Sequence, residues 1–268
     1  MTMRKPSPQR LERLRTELEA LYRHYHRPAF IGSDPLHYLY RFTSPLDQEV
    51  VGLVAASLAY GNVKSIHASI DKVLAVMGDH PRLYLEQSGE TSILRDFRSF
   101  RHRWTSGRAM AGLLLDMKKV TGNFGSLGNA FYVLDDPGRP LQATLGAWVA
   151  LLQDGRTLER KELLSDPRRS SACKRLHLYL RWMVRKDEID PGCWSGIDPA
   201  RLLMPLDTHI YQWAIRHRIT RRKNADLRTV EEITRFFRHL CPSDPVRYDF
   251  CLTRPGITGE ERGGAHAT

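Results

Sequence analysis

The sequence predicts an all-α fold, and three observations carry that expectation. Apolar residues recur at helical spacing, as in Leu11, Leu14, Leu18, Leu21, Tyr22 and Tyr25, while the alternation expected of strands is almost absent. Asp-Pro occurs six times, at Asp34, Asp136, Asp166, Asp190, Asp198 and Asp244. An Asp that caps ahead of a Pro at the first helical position starts a helix, because the ring needs no N–H there. Composition completes the case: 268 residues, 41% hydrophobic and 26% charged, suit a folded chain with a sizeable core and not a disordered one. The expectation is a single all-helical globular domain over residues 1–258, with about ten or more helices in two lobes around a basic cleft.

The elements follow in order. Leu11 to Tyr25 forms an amphipathic first helix. Ser44-Pro45-Leu46-Asp47 has the shape of a capping box, with Asp in place of the usual Glu, and opens an apolar helix from Glu49 to Tyr60 that Gly61-Asn62 ends or kinks. Further helices are expected near 64–78, 107–120 and 141–153. Residues 121–140, with four glycines and two prolines, read as the longest irregular connection and as a place where two lobes could part. Ser170 to Lys186 fits a helix, and Asp207 stands at the N-cap of another that carries Ile210, Trp213, Ala214 and Ile215. The small, polar tail 259–268 is expected to be disordered.

Charge is the informative part of the composition. Lys+Arg number 41 against 30 Asp+Glu, a net charge of +11, and the pI is near 9.7, values suited to a polyanionic partner. The excess is concentrated. Residues 168–187 hold seven Lys and Arg (Arg168, Arg169, Lys174, Arg175, Arg181, Arg185, Lys186) against one acid, and residues 216–238 hold eight against three. Solvated helix faces would look the same. The longest apolar stretch, Val50 to Ala59, is far below the roughly 18 residues of a membrane span. The basic opening Met1 to Pro8 has no apolar stretch of the signal-peptide kind, so a cytoplasmic protein is expected. Cys173, Cys193, Cys241 and Cys251 form no C-x-x-C pair and read as reduced thiols. His24 and His26 face opposite ways on a helix, no Gly-rich nucleotide loop occurs, and Asp47 and Glu49 do not share a face. No metal site or cofactor is therefore expected.

Lys174, Arg181 and Arg185, at i, i+7 and i+11, fall within about 20° of one another on a helix, opposite Cys173, Leu176, Leu180, Met183 and Val184. Such a cationic ridge suits phosphates or bulk water equally. Asp207 caps its helix, and that alone could be its whole role. The same position also lets the ionised carboxylate stabilise a cation or orient water or an amine.

Pro205-Leu206-Asp207-Thr208-His209-Ile210, followed by Arg216, resembles the signature of the helix-hairpin-helix DNA glycosylase superfamily, which includes endonuclease III and the 8-oxoguanine glycosylases. More closely, nearly the whole chain resembles an uncharacterised bacterial family of hypothetical proteins placed in that superfamily by similarity. The matching stretches are Tyr25 to Asp34, Asp47-Gln48-Glu49, Ala59-Tyr60-Gly61, Lys174-Arg175, Leu180 to Asp187, Pro205 to His209 and Asp244 to Phe250. The resemblance implies a glycosylase-like two-lobed bundle in which Asp207 is catalytic and Lys174 is the nucleophile. It further implies that Arg175, Arg181, Arg185, Lys186, His209 and Arg216 face nucleic acid, DNA ahead of RNA. A base flipped into a pocket needs flat walls. Trp182, Trp194 and Tyr248 are the candidates, with Trp213 and Tyr211 also available, and Tyr60 or Asn62 would fill the gap left in the duplex.

The chemistry implied is attack of a neutral amine on the anomeric carbon, expulsion of the base and a Schiff base on Lys174, with Arg181 as the neighbouring cation that favours the neutral amine. The chain departs from the superfamily in two respects. No Gly-rich hairpin precedes Asp207, where Asp190 to Gly196 stands instead, and the iron–sulfur cysteines of endonuclease III are missing. Pro255-Gly256-Ile257-Thr258-Gly259 resembles such a hairpin but follows the Asp. A non-catalytic DNA or RNA binding protein on the same scaffold is the alternative, and a different enzyme on that scaffold stays open.

Overall fold

A computed structural model describes residues 6–154 and 163–258, and these are mostly helical. Helix α1 (Pro8–Tyr25) opens with Pro8 behind Ser7, whose hydroxyl accepts from Arg10 N at 3.3 Å, and it buries Leu14, Leu18 and Tyr25. Two 3-10 turns, Pro28–Ser33 and Pro35–Arg41, lead to α2 (Pro45–Leu58), capped by Ser44. α2 is apolar all round and is buried continuously from Glu49 to Leu58, as a core helix should be. Asn62 then caps α3 (Val63–Met77) by accepting from Ser65 N at 2.9 Å, so Tyr60-Gly61-Asn62 ends one helix and starts the next.

α4 (Pro81–Gln87) and α5 (Glu90–Asp96) precede a small antiparallel hairpin, β1 (Arg101–His102) with β2 (Thr105–Ser106). The remaining helices are α6 (Gly107–Phe124), α7 (Leu127–Leu134), α8 (Leu141–Gln153), α9 (Lys174–Val184), α10 (Thr208–Arg216), α11 (Leu227–Leu240) and α12 (Asp249–Thr258). No helix among the described residues is long and apolar enough to cross a membrane. All four cysteines are free thiols. The tail 259–268 lies outside the described residues.

Three expectations need correction. Residues 121–140 are not one irregular connection, because α6 continues to Phe124 and α7 occupies 127–134. One glycine there serves packing. A Cβ on Gly128 would come within 2.7 Å of the Trp194 indole nitrogen, so the glycine lets the two meet. Secondly, Asp-Pro is a start signal only in part. Asp34, Asp136, Asp166 and Asp198 each accept the N–H two residues on, but Asp190 and Asp244 accept from buried arginines instead. Thirdly, Trp182, Trp194 and Tyr248 are 0, 5 and 2% exposed and belong to the interior, not to a base pocket. Trp194 packs among Phe131, Trp148 and Tyr179, and the Tyr248 hydroxyl donates to Glu19 at 2.6 Å.

The buried hydrophobic residues form two clusters. The larger joins α2, α3, α6, α7, α8 and α9 with the 3-10 turns, and the smaller joins α1, α10 and α11 with Met204 and Leu206. α12 serves both, giving Phe250 to the first and Cys251 and Leu252 to the second. The clusters part near Leu202–Met204. Within the larger one, the Glu49 carboxylate accepts from Leu127 N at 2.8 Å, Gly128 N at 2.9 Å and the Trp194 indole at 3.0 Å, which pins the start of α7 to α2. Burial raises its pKa, opposed by those three donors. Each buried donor left unmet costs about 1–3 kcal/mol. Glu49→Ala is therefore expected to destabilise the fold by at least about 3 kcal/mol in urea melts; a change below about 1 kcal/mol would show that these bonds do not hold α7.

Candidate functional site

Where the two clusters meet, a cavity of about 530 Å³ opens between the first turn of α9, the segment Pro205–Tyr211, the end of α2 and the face of α12. Lys174 and Asp207 both line it. Lys174 is the first residue of α9 and follows Cys173, whose left-handed backbone (φ 44°) is sparsely populated for a residue with a side chain. Its ammonium makes no hydrogen bond or ion pair among the described residues. Asp207 caps α10 as the sequence suggests, accepting from Ile210 N at 2.8 Å. His209 also lines the cavity, and its ring lies so close to α12 that a Cβ on Gly256 would fall 2.2 Å from it.

The deeper wall is ionic. Arg254 donates to Asp34 at 2.8 Å, and Arg181 bridges Asp249 and Asp190, with its Nη2 at 3.0 Å from the latter. All but Asp190 line the cavity. The carboxyls respond in opposite ways. At Asp34, burial works upward, but Arg254, Arg181 and the Leu36 N–H outweigh it and hold the group below its ordinary range. At Asp249, burial prevails over Arg181, the Asp207 charge adds to it, and the pKa is pushed up to about 6. Asp34, Asp249 and Arg254 are the residues that sequence reasoning missed. Asp34 read as a helix cap and Asp249 as part of the family stretch 244–250, and nothing in their spacing from Lys174 marks them.

The cationic ridge on α9 requires correction. Arg181 and Arg185 are 2 and 4% exposed and do not face a phosphate backbone. α9 is a central helix, and its polar side is covered by acids from the turn that follows it and from distant segments: besides the Arg181 pairs, Arg185 reaches Asp187 at 2.7 Å, Asp244 at 2.9 Å and Asp190. Asp187 in turn accepts from His26 at 3.0 Å. With two carboxylates on Arg181, that side chain is also not the free cation the amine chemistry assumed. Arg175 donates to Ser57 O at 2.6 Å and lies 5.1 Å over the Tyr60 ring, and Lys186 is exposed away from the cavity lining. Tyr60 lines the cavity, whereas Asn62 is an exposed cap.

Arg216 belongs to an open depression of about 610 Å³ next to the cavity, together with Arg218, Arg221, Arg222 and Lys223. Tyr211 lines both spaces. Arg222 is paired with Asp226 at 2.6 Å, and the other four cations are exposed. Between α9 and Asp207, the turn Asp190–Gly196 does not offer its backbone to a ligand: Gly192 N donates to Trp182 O and Trp194 N to Met183 O. Pro255 and Gly256 lie within α12 and form no hairpin. No group of three His, Cys, Asp or Glu side chains placed to hold a metal occurs among the described residues.

The chain belongs to the family described as "Protein of unknown function (DUF2400)", which it matches over residues 34–258. That span begins at Asp34 and includes Lys174, Asp207, Asp249 and Arg254. No curated protein and no solved structure matches the chain.

Asp207 holds two roles that substitution can separate. Asn caps a helix as well as Asp does, whereas Ala loses about 0.5–2 kcal/mol. Asp207→Asn is expected to leave the thermal midpoint essentially unchanged and Asp207→Ala to lower it. A midpoint that falls as far for Asn as for Ala would mean that the negative charge, not the cap, stabilises α10.

Proposed function

We propose that this member of the DUF2400 family binds DNA along the basic depression beside the cavity and cleaves the N-glycosidic bond of a base drawn into it. The observation that carries the reading is the convergence of an ammonium in no ion pair among the described residues, Lys174, and a helix-capping carboxylate, Asp207, on one cavity bordered by exposed cations. Its volume, about 530 Å³, lies within the roughly 300–1,000 Å³ of small-molecule sites. Tyr60 and Tyr211 give it flat walls.

In the reaction, Asp207 takes a proton from the Lys174 ammonium, and the freed lone pair forms a bond to the anomeric carbon while the bond to the base nitrogen breaks. The bonding pair leaves with the base, which takes a proton from the Asp249 carboxyl. The Asp249 carboxylate so formed accepts the proton lost by the new C–N linkage, Asp207 returns its proton to the ring oxygen as the bond from that oxygen to the anomeric carbon breaks, and a protonated Schiff base is left on Lys174. A glycosylase-like scaffold is part of the same proposal.

A second reading, a DNA or RNA binding protein without chemistry, is favoured by the turn Asp190–Gly196. The backbone donors of Gly192 and Trp194 are already bonded to α9, so this chain lacks the phosphate grip of a Gly-rich hairpin there.

Borohydride trapping on a panel of damaged duplexes separates the two. A covalent adduct lost in Lys174→Ala and weakened in Asp207→Asn is expected. Absence of adduct and of base release across the panel, with Asp207→Asn binding DNA like the wild type, would leave the binding reading in its place. The role of Asp249 adds a pH dependence. Base release is expected to decline about tenfold per unit as pH rises above about 6, where the carboxyl loses its proton, and Asp249→Asn is expected to remove that limb. A profile flat between pH 5 and 8 would exclude Asp249 as the proton donor.

A further inference from the structure

The β1–β2 hairpin carries features that the cavity chemistry does not use. Of the five tryptophans, Trp148, Trp182, Trp194 and Trp213 are at most 8% exposed, whereas Trp104, at the hairpin tip, is 56% exposed. It is not a stray surface residue. Its ring stacks on Tyr60, with centroids 4.8 Å apart and planes 23° from parallel. The Arg103 guanidinium lies 4.7 Å from the Trp104 ring centre, and that of Arg175 lies 5.1 Å from the Tyr60 ring centre. The result is a stacked pair of rings, each with a guanidinium group near it, a column that runs from the cavity-lining Tyr60 to Trp104 in solvent.

The column is held from below. The Tyr60 hydroxyl bonds the Thr105 hydroxyl at 2.6 Å and donates to His102 O at 3.0 Å, and the buried His102 ring bridges Ser69 and Tyr60 O. Gly61 leaves room for the Arg103 side chain, since a Cβ there would approach it to 2.9 Å. Arg103 itself has a left-handed backbone (φ 53°) at a turn position where Gly or Asn is the comfortable residue. Stability alone does not explain an arginine there. Charge points the same way: residues 97–115 contain Arg98, Arg101, Arg103 and Arg108 and no acid. All four are exposed, and none is in an ion pair among the described residues.

We propose that this hairpin is a stacking platform for an unpaired nucleotide of a nucleic-acid strand, with Trp104 and Arg103 taking the base and the surrounding arginines the phosphates. Every base offers a flat π-face, and stacking on an aromatic ring or a guanidinium plane is tolerant of sequence. A flat Trp flanked by unpaired arginines matches a strand whose bases are free, more than a duplex whose bases are stacked on one another. The platform shares with the proposed function the nucleic-acid partner and the Tyr60 ring. It requires neither Lys174 nor any bond cleavage.

Because the other tryptophans are buried, a contact quench of intrinsic fluorescence reports on Trp104, and Trp104→Ala gives the emission of the other four as background. Titration of the full chain with a single-stranded oligothymidine is expected to quench emission and to bind more tightly than a blunt duplex of equal charge. Trp104→Ala is expected to weaken single-strand binding roughly 10- to 100-fold and to abolish the quench, and Trp104→Phe to restore much of the affinity. Arg103→Gly is expected to weaken binding while leaving the thermal midpoint equal or higher, since it relieves the turn. Unchanged affinity in Trp104→Ala overturns the proposal, as does equal binding and quenching by a polyglutamate of matched charge, which would assign the patch to acidic polypeptide. Single-strand binding and the quench are measured on the wild-type chain and on Trp104→Ala, and trapping on damaged duplexes is scored separately. Platform binding that survives while trapping fails, or the reverse, therefore tells the two proposals apart.

Discussion

Two arginines on a central helix set the plan of this molecule. Arg181 and Arg185 lie on the side of α9 that a membrane of water would normally cover, yet both are buried. An unpaired charge in that position costs several kcal/mol, so the fold must bring carboxylates to it. They come from three segments: the turn after α9 (Asp187 and Asp190), the connection after α11 (Asp244) and the first turn of α12 (Asp249). The Arg254–Asp34 pair continues the network to the 3-10 turns. Since α9 belongs to the larger core and α12 to both, these ion pairs fasten the two cores together. The cavity is the space that this fastening leaves open at the seam.

That origin explains the mixture of groups around the cavity. Charged residues face it because the charged side of α9 is there, and their pairing gives each carboxyl a different balance between burial and attraction. Asp34, next to Arg254, is held ionised, while Asp249, more completely dominated by burial, is raised into the range of a proton donor. Two carboxyls in one cavity with opposite shifts make a usual starting point for acid–base chemistry. Lys174 and Asp207 enter from the ends of two helices, where backbone direction, not packing, decides where a side chain points.

How much of this was legible in the sequence depends on range. Helices and the Ser44 and Asp207 caps were legible because they are set by residues within a turn or two of one another, although the helix expected over 170–186 spans only Lys174–Val184, after the left-handed Cys173. The convergence of Lys174 and Asp207 was reached through a family resemblance, not through spacing. The acids that neutralise Arg181 and Arg185 were not legible in the charge count, because a window over 168–187 cannot see Asp244 or Asp249, and an amphipathic helix looks the same whether water or carboxylates cover its polar side. Aromatic residues misled for a related reason: Trp182 and Trp194 have the right chemistry for a base pocket, but large flat side chains fill interiors equally well. The hairpin escaped notice because two strands of two residues each show no alternation.

The smaller core has one further consequence, which concerns the order in which the chain can fold. Leu14 and Leu18 of α1 are buried in a cluster drawn mainly from the last quarter of the chain, and Arg10 and Arg15 donate to carbonyls more than 200 positions away. Contacts of that separation form late, since a long loop must close first. During synthesis the larger core, drawn almost wholly from residues 31–202, can assemble while α1 still lacks its partners. The seam, and the cavity in it, is then completed in a single late step when α10, α11 and α12 arrive and α1 closes over them. A truncation within α1 would therefore not trim an edge of this protein; it would leave its last-formed half without a lid.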